Sequence, residues 1–340
     1  MWQVKKQERA VSLLQRSLKD KTLSHAYIFV GPEGVGKMML AKSLTQALFC
    51  KEENSPCVEC ACCKRINELK HPDFQVIELE TPIEEKGKQK KEISIEQIRR
   101  LKHGVSLPPY EGDYKIFVID GAESMSISAA NCLLKTLEEP SPKTIIILLA
   151  QEESKISPTV LSRCQKIELK PMALYELAEV LRKEYKLEED KAVLLARLGH
   201  GRLGKAIEMA RNDKVLEQRN SYLEASISLI SSDYNSRFEY ATKLAADISK
   251  RREVTAEIVA IWLDCWRDLL LVKIGLNGEI TNIDKKQELE YISEGLSIEE
   301  IESTIKIIME AEKNIASNVN PRLVLEVLML EMPLGKEVIK

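Results

Sequence analysis

Residues 31–38 read Gly-Pro-Glu-Gly-Val-Gly-Lys-Met, which matches the phosphate-binding pattern G-x-x-x-x-G-K-[ST] at every fixed position but the last. In that pattern, backbone N–H groups of a glycine-rich turn surround the phosphates. The lysine reaches the outer phosphates and the hydroxyl ligates Mg²⁺. Gly31, Gly34, Gly36 and Lys37 are present, but Met38 offers a soft thioether where a hard cation needs oxygen. Such a loop has to follow a buried strand and open a helix. The flanks comply: Ala26-Tyr27-Ile28-Phe29-Val30 is a short apolar run, and Lys37 to Phe49 carries Leu40, Leu44, Ala47 and Leu48 at helical spacing.

Further strands are predicted at Gln75–Leu79, Lys115–Asp120, Thr144–Leu149 and Lys166–Leu169, with helical patterns between several of them. Five strands alternating with helices imply an α/β domain, a parallel sheet covered on both faces. The strand Lys115–Asp120 ends in a carboxylate, the second signature of phosphate-loop enzymes, placed near Mg²⁺. Active ATPases of this kind usually follow that aspartate with a glutamate that polarises water. Here Gly121 follows, and Glu123 comes two residues later. Hydrolysis therefore lacks two expected contributors. Beyond Pro171 strand signals fade and helical periodicity takes over. Trp262, Cys265, Trp266 and Leu269 share one helical face. Asn320-Pro321 opens a final helix as N-cap and first position, bearing Leu323, Leu325, Leu328 and Leu330. These residues are expected in a core or a subunit interface.

Of eight cysteines, Cys50, Cys57, Cys60 and Cys63 have the spacing of a structural zinc site, C-x6-C-x2-C-x2-C. Cys62 is off that register, and four thiolates leave His71 no vacancy. The set predicts a small zinc-folded module over 50–63 with no open position for catalysis. Arg163, in Leu161-Ser162-Arg163-Cys164, could reach a neighbour's phosphates, although by chemistry alone a lone arginine is more often half of a surface ion pair. The run Glu84–Glu92 reads as a solvated loop. Fifty basic and 53 acidic residues give a formal charge of −3, which excludes a chain that binds nucleic acid through a global basic excess. No signal peptide or membrane span is evident, so a cytoplasmic location is expected.

Several strings together resemble bacterial clamp-loader subunits of the AAA+ type. They are Ser24-His25-Ala26-Tyr27, the glycine loop, the four cysteines, His71-Pro72-Asp73-Phe74, Asn131-Cys132-Leu133-Leu134-Lys135-Thr136-Leu137-Glu138-Glu139-Pro140 and Leu161-Ser162-Arg163-Cys164. The likeness covers nearly the whole chain and weakens after residue 210. It implies an AAA+ nucleotide-binding-type domain over 1–170, a helical lid over 171–212 and an all-α collar over 213–340 that mediates oligomerisation. It implies a hetero-pentamer with gamma/tau and delta subunits that places a sliding clamp on primed DNA. Within it, this chain would be the non-motor stator, Arg163 serving an adjacent ATP site in trans. Its own degenerate ATP site (Gly31, Gly34, Gly36, Lys37, Asp120) would bind ATP weakly or not at all. Motor subunits carry an arginine in a lid pattern like G-S-x-R-x-A. Gly201-Arg202-Leu203-Gly204-Lys205-Ala206 puts glycine there, with Arg202 two positions early. The alternative is an active motor subunit that tolerates Met38.

Overall fold

The computed structural model describes residues 2–79, 92–251, 253–317 and 319–334. Most of the charge run predicted as a loop, residues 84–91, lies outside them. Contacts divide the chain into two compact units, Met1–Ala173 with Gly201–Lys205, and Leu174–His200 with Ala206–Lys340.

The first unit is built on five parallel strands: β1 (Ala26–Val30), β2 (Phe74–Ile77), β3 (Lys115–Asp120), β4 (Thr144–Ala150) and β5 (Gln165–Glu168). Their order is β2-β3-β4-β1-β5, with Ile28 opposite Leu148 and Lys166, and Val118 opposite Val76 and Ile147. All five predicted strands form, with edge strands β2 and β5 displaced by one or two residues. Edge strands carry the weaker pattern because only one side is paired. Helices α1 (Glu8–Lys19), α2 (Lys37–Phe49), α3 (Ala61–Asn67), α4 (Ile95–Ser106), α5 (Ile127–Glu138) and α6 (Pro158–Leu161) complete this part.

Side-chain alternation sorts the strands' residues between two cores. Tyr27, Phe29, Val118 and Ile147 join Leu14, Leu40 and Leu44 on one face. Ile28, Ile119, Ile146 and Leu148 join Ile98, Leu101, Leu133 and Leu137 on the other. Each fully buried side chain of this size contributes about 1.5–3 kcal/mol. Local chemistry sets the helix starts. Ser94 and Gln97 form a capping box on α4, and the Ser126 hydroxyl accepts from Ala129 N on α5.

The string His71-Pro72-Asp73-Phe74 turns out to be a brace. The Asp73 carboxylate is buried and accepts from the backbone N–H groups of Tyr110, Glu111 and Gly112 at 2.7, 2.7 and 2.9 Å. It thereby fixes the loop that leads into β3. Arg65 of α3 makes a forked pair with Glu111 on that same loop, and His71 stacks on Phe49, with ring centroids 4.9 Å apart. Burial pushes the Asp73 carboxyl up, but the three N–H donors outweigh it and hold its pKa below the ordinary aspartate value.

The second unit is helical: α7 (Leu174–Tyr185), α8 (Glu189–Leu198), most of α9 (Leu203–Arg211), α10 (Asp213–Ser231), α11 (Tyr234–Lys250), α12 (Glu253–Lys273), α13 (Lys286–Glu294), α14 (Ile298–Ala316) and α15 (Pro321–Glu331). Trp262, Cys265, Trp266 and Leu269 lie in one core with α10, α11, α14 and α15. Asn320 caps α15, its side chain accepting from Arg322 N, with Pro321 at the first position. Leu325 and Leu328 are buried. Leu323 and Leu330 are more than half exposed and share a helix face with exposed Val327.

A fully buried arginine ties this core together. Arg237 Nε donates to Leu229 O, Nη1 to Met329 O and Met332 O, and Nη2 to Ile230 O and Pro333 O. Five donors thus satisfy carbonyls around the C-terminal ends of α10 and α15, where helices leave acceptors unpaired.

Two expectations follow. Arg237→Met removes every one of these bonds and should destabilise the helical unit by about 3–5 kcal/mol, read by denaturant unfolding. Asp73 has a depressed folded pKa, so its contribution is full above the unfolded carboxyl value near pH 4 and is lost as pH falls through the lower folded value. Asp73→Asn should cost about 1–3 kcal/mol at neutral pH and flatten stability against pH below about 4, measured by the same unfolding at stepped pH.

Candidate functional site

In a parallel sheet all strands end at one edge, and that edge gathers the phosphate loop after β1, Asp120 at the end of β3 and Gln151 after β4. Gly36, at φ 106°, is the N-cap of α2, so the backbone turns into the helix through a left-handed conformation that glycine adopts freely. The Lys37 ammonium bends back on its own loop, donating to Gly31 O at 2.5 Å and Pro32 O at 3.0 Å. Burial lowers its pKa against the opposing pull of Asp120, Glu123 and Glu33. Met38 packs against the apolar cluster that contains Leu40 and Leu44.

The loop is also covered from outside. Gly204, at the start of α9, donates its backbone N–H to Gly34 O at 2.8 Å. A Cβ at position 204 would lie 2.9 Å from both Gly34 Cα and Gly34 O, and a Cβ at Gly34 would lie 3.0 Å from Lys205 N. A side chain larger than hydrogen at 204 does not fit unless one backbone moves. The resemblance noted above implies a lid arginine at this position in a motor subunit.

Asp120 is largely removed from solvent. Burial raises its carboxyl pKa, Glu78 adds to the rise, and Lys37 works against it. Gly121 follows in a left-handed conformation at φ 72°. Glu123 is engaged elsewhere: its Oε1 accepts from Gln151 N at 3.2 Å, and its Oε2 is buried with no hydrogen-bond partner among the described residues.

The four cysteines predicted as ligands come together. The sulfurs of Cys50, Cys57, Cys60 and Cys63 all lie within 4.8 Å of one another. A tetrahedral centre with metal–sulfur bonds near 2.3 Å needs S···S separations of about 3.8 Å, so a small contraction closes it. Cys60 N and Cys63 N point at the sulfurs of Cys57 and Cys60, at 3.3 and 3.4 Å. Backbone donors, from Cys60 first and then Glu59, lower the Cys57 thiol to about 7, whereas burial pushes the Cys63 thiol up. A divalent cation at the centre would supply the charge that makes both thiolates. The donor set therefore fits a thiophilic metal such as Zn²⁺. Cys62 lies outside the cluster, its Sγ directed at Phe49 O, and burial raises its pKa. His71 lies outside it as well, its Nδ1 accepting from Asp73 N.

Arg163 follows α6 on a hydrogen-bonded turn, just before β5. The Ser162 hydroxyl donates to Thr159 O and accepts from Arg163 Nη1, which also donates to Thr159 O. Cys164 packs against the core on the α5 side of the sheet, where burial pushes its thiol up to about 12. Ser162 thus shapes the turn, Cys164 anchors it, and Arg163 stays about one-third exposed. Its Nη2 lies 2.6 Å from Glu138 Oε1. Residue patterns alone did not point to Glu138, although it lies inside one of the strings that carried the family resemblance.

Two family models match the chain. One, described as DNA polymerase III, delta subunit, covers residues 6–173, and the other, described as DNA polymerase III, delta subunit, C terminal, covers residues 214–333. A DNA polymerase III subunit delta' from Bacillus subtilis is 28% identical over 333 residues, 97% of each chain. The delta' subunit from Pseudomonas aeruginosa is 36% identical over 143 residues, 42% of each chain. The tau subunit from Bacillus subtilis is 27% identical over 350 residues, which is 96% of this chain but 60% of that protein.

Proposed function

This chain belongs to the DNA polymerase III clamp-loader subunit family, and we propose that it fills the delta-prime place, a stator rather than a motor. One observation carries the reading: the same chain combines a nucleotide loop whose lysine is bonded to its own turn with a partly exposed arginine held on a separate ordered turn before β5. Lys37 is bonded to Gly31 O and Pro32 O, Gly204 covers Gly34, Met38 packs half-buried against the core, and Glu123 holds Gln151 N. The lysine is thereby held by carbonyls rather than free for phosphate, no hydroxyl stands at position 38 for Mg²⁺, and no carboxylate directly follows Asp120. ATP binding in this chain is weak or absent, and the chain alone is not an ATPase.

Arg163 acts in trans. An arginine brought to a neighbour's triphosphate neutralises charge that develops during phosphoryl transfer. The neighbour is a gamma/tau subunit, and with delta the assembly is a hetero-pentamer that loads a sliding clamp onto primed DNA during replication. The exposed stripe Leu323, Val327 and Leu330, spaced 4 and 3 along α15, supports a collar contact with another subunit. Residues 1–170, 171–212 and 213–340 serve as nucleotide-binding-type domain, lid and collar. Zn²⁺ on Cys50, Cys57, Cys60 and Cys63 is structural. Among the described residues no helix is long and apolar enough to cross a membrane, in keeping with work in the cytoplasm.

The rival reading, an active motor, draws on the tau relative that matches 96% of this chain. Turnover by the purified chain separates the two. We expect none above background, and Lys37→Ala should change nothing. In a reconstituted loader, Arg163→Ala should lower DNA-stimulated ATP turnover by about 10³-fold or more. Undiminished turnover would refute the trans role. Metal analysis of chain purified without chelator should find one zinc. Cys57→Ser should lose it and expose the 50–63 segment to protease while the sheet stays folded.

A further inference from the structure

The two most distinctive strings of the sequence, Leu133-Leu134-Lys135-Thr136-Leu137-Glu138-Glu139-Pro140 and Ser162-Arg163-Cys164, meet in space at one ion pair. Glu138 Oε1 lies 2.6 Å from Arg163 Nη2, with both side chains partly exposed. Glu138 is the last residue of α5. That is an unfavourable place for a carboxylate, because the carbonyls of a helix C-terminus already present partial negative charge. An exposed ion pair returns little stability, so folding alone does not account for the arrangement. Its effect on Arg163 is geometric. Thr159 O and Ser162 Oγ take Nη1 and Glu138 takes Nη2, so a long, flexible side chain is held at two corners. Nε has no partner among the described residues and remains as a donor for an incoming anion.

We propose that Glu138 is a positioning residue for Arg163, holding the guanidinium in the orientation in which it meets a neighbouring subunit's triphosphate. The inference rests on the trans role of Arg163. Glu138 does not touch the nucleotide. It removes the search that a free arginine would have to make, and a misplacement of about 1 Å at such a group can cost on the order of 10²-fold in rate.

The test is steady-state ATP turnover by the complete loader, with DNA and clamp, carrying Glu138→Gln, Arg163→Ala or both. Glu138→Gln should lower kcat by roughly 10- to 100-fold, with KM for ATP unchanged and the thermal midpoint of the chain unmoved. In the Arg163→Ala background the same change should have no further effect, the non-additivity expected of two groups acting as one. Unchanged or faster turnover with Glu138→Gln, alongside loss with Arg163→Ala, overturns the positioning role, as does full additivity in the double variant. Unchanged turnover with Arg163→Ala overturns instead the trans-arginine reading beneath it.

Discussion

A sheet whose strands all run the same way must end all of them on one side, and the groups of the nucleotide loop's surroundings depend on that. The glycine loop leaves β1, Asp120 closes β3, and Gln151 follows β4, so residues more than a hundred positions apart share one rim. The price is paid in coverage. Parallel strands are buried on both faces, which is why every residue of β1 and β4 is buried and why two separate cores flank the sheet. Once those cores form, the rim is built whether or not its chemistry is used.

That independence means the loop's geometry does not by itself depend on nucleotide chemistry. The left-handed Gly36 and the buried face of α2 from Leu40 onward belong to the fold. What has changed is how the remaining groups are employed. The lysine satisfies carbonyls of its own turn, the residue after it packs half-buried against the core, and the start of α9 leans on Gly34 by a backbone hydrogen bond. Each of these contacts is a structural one, made within the chain itself.

Much of this was legible in the residues, for physical reasons. Central strands are read easily because burial on both faces leaves a continuous apolar run, whereas β2 and β5 are blurred by their open edges. Four thiols at tight spacing announced their own cluster. Gly204 could be read only as a missing arginine; its cause, a backbone approach that leaves no room for a Cβ, is a three-dimensional fact. Asp73 was visible only as part of a family string, because its three backbone partners lie 37–39 residues away. The pairing of Glu138 with Arg163 was hidden for the same reason, and Arg237 gave no signal at all, since carbonyl acceptors are common to every residue.

Arg237 has a mechanical consequence. Its five bonds converge on one planar group and reach back to α10 and forward to α15 and Pro333. Bonds laid out in a row can be peeled apart one at a time under load. Bonds that share a single rigid hub are sheared together, so the joint resists a tug along either helix far better than the same number of contacts in series. A body whose neighbours push against it gains from a rivet of that kind.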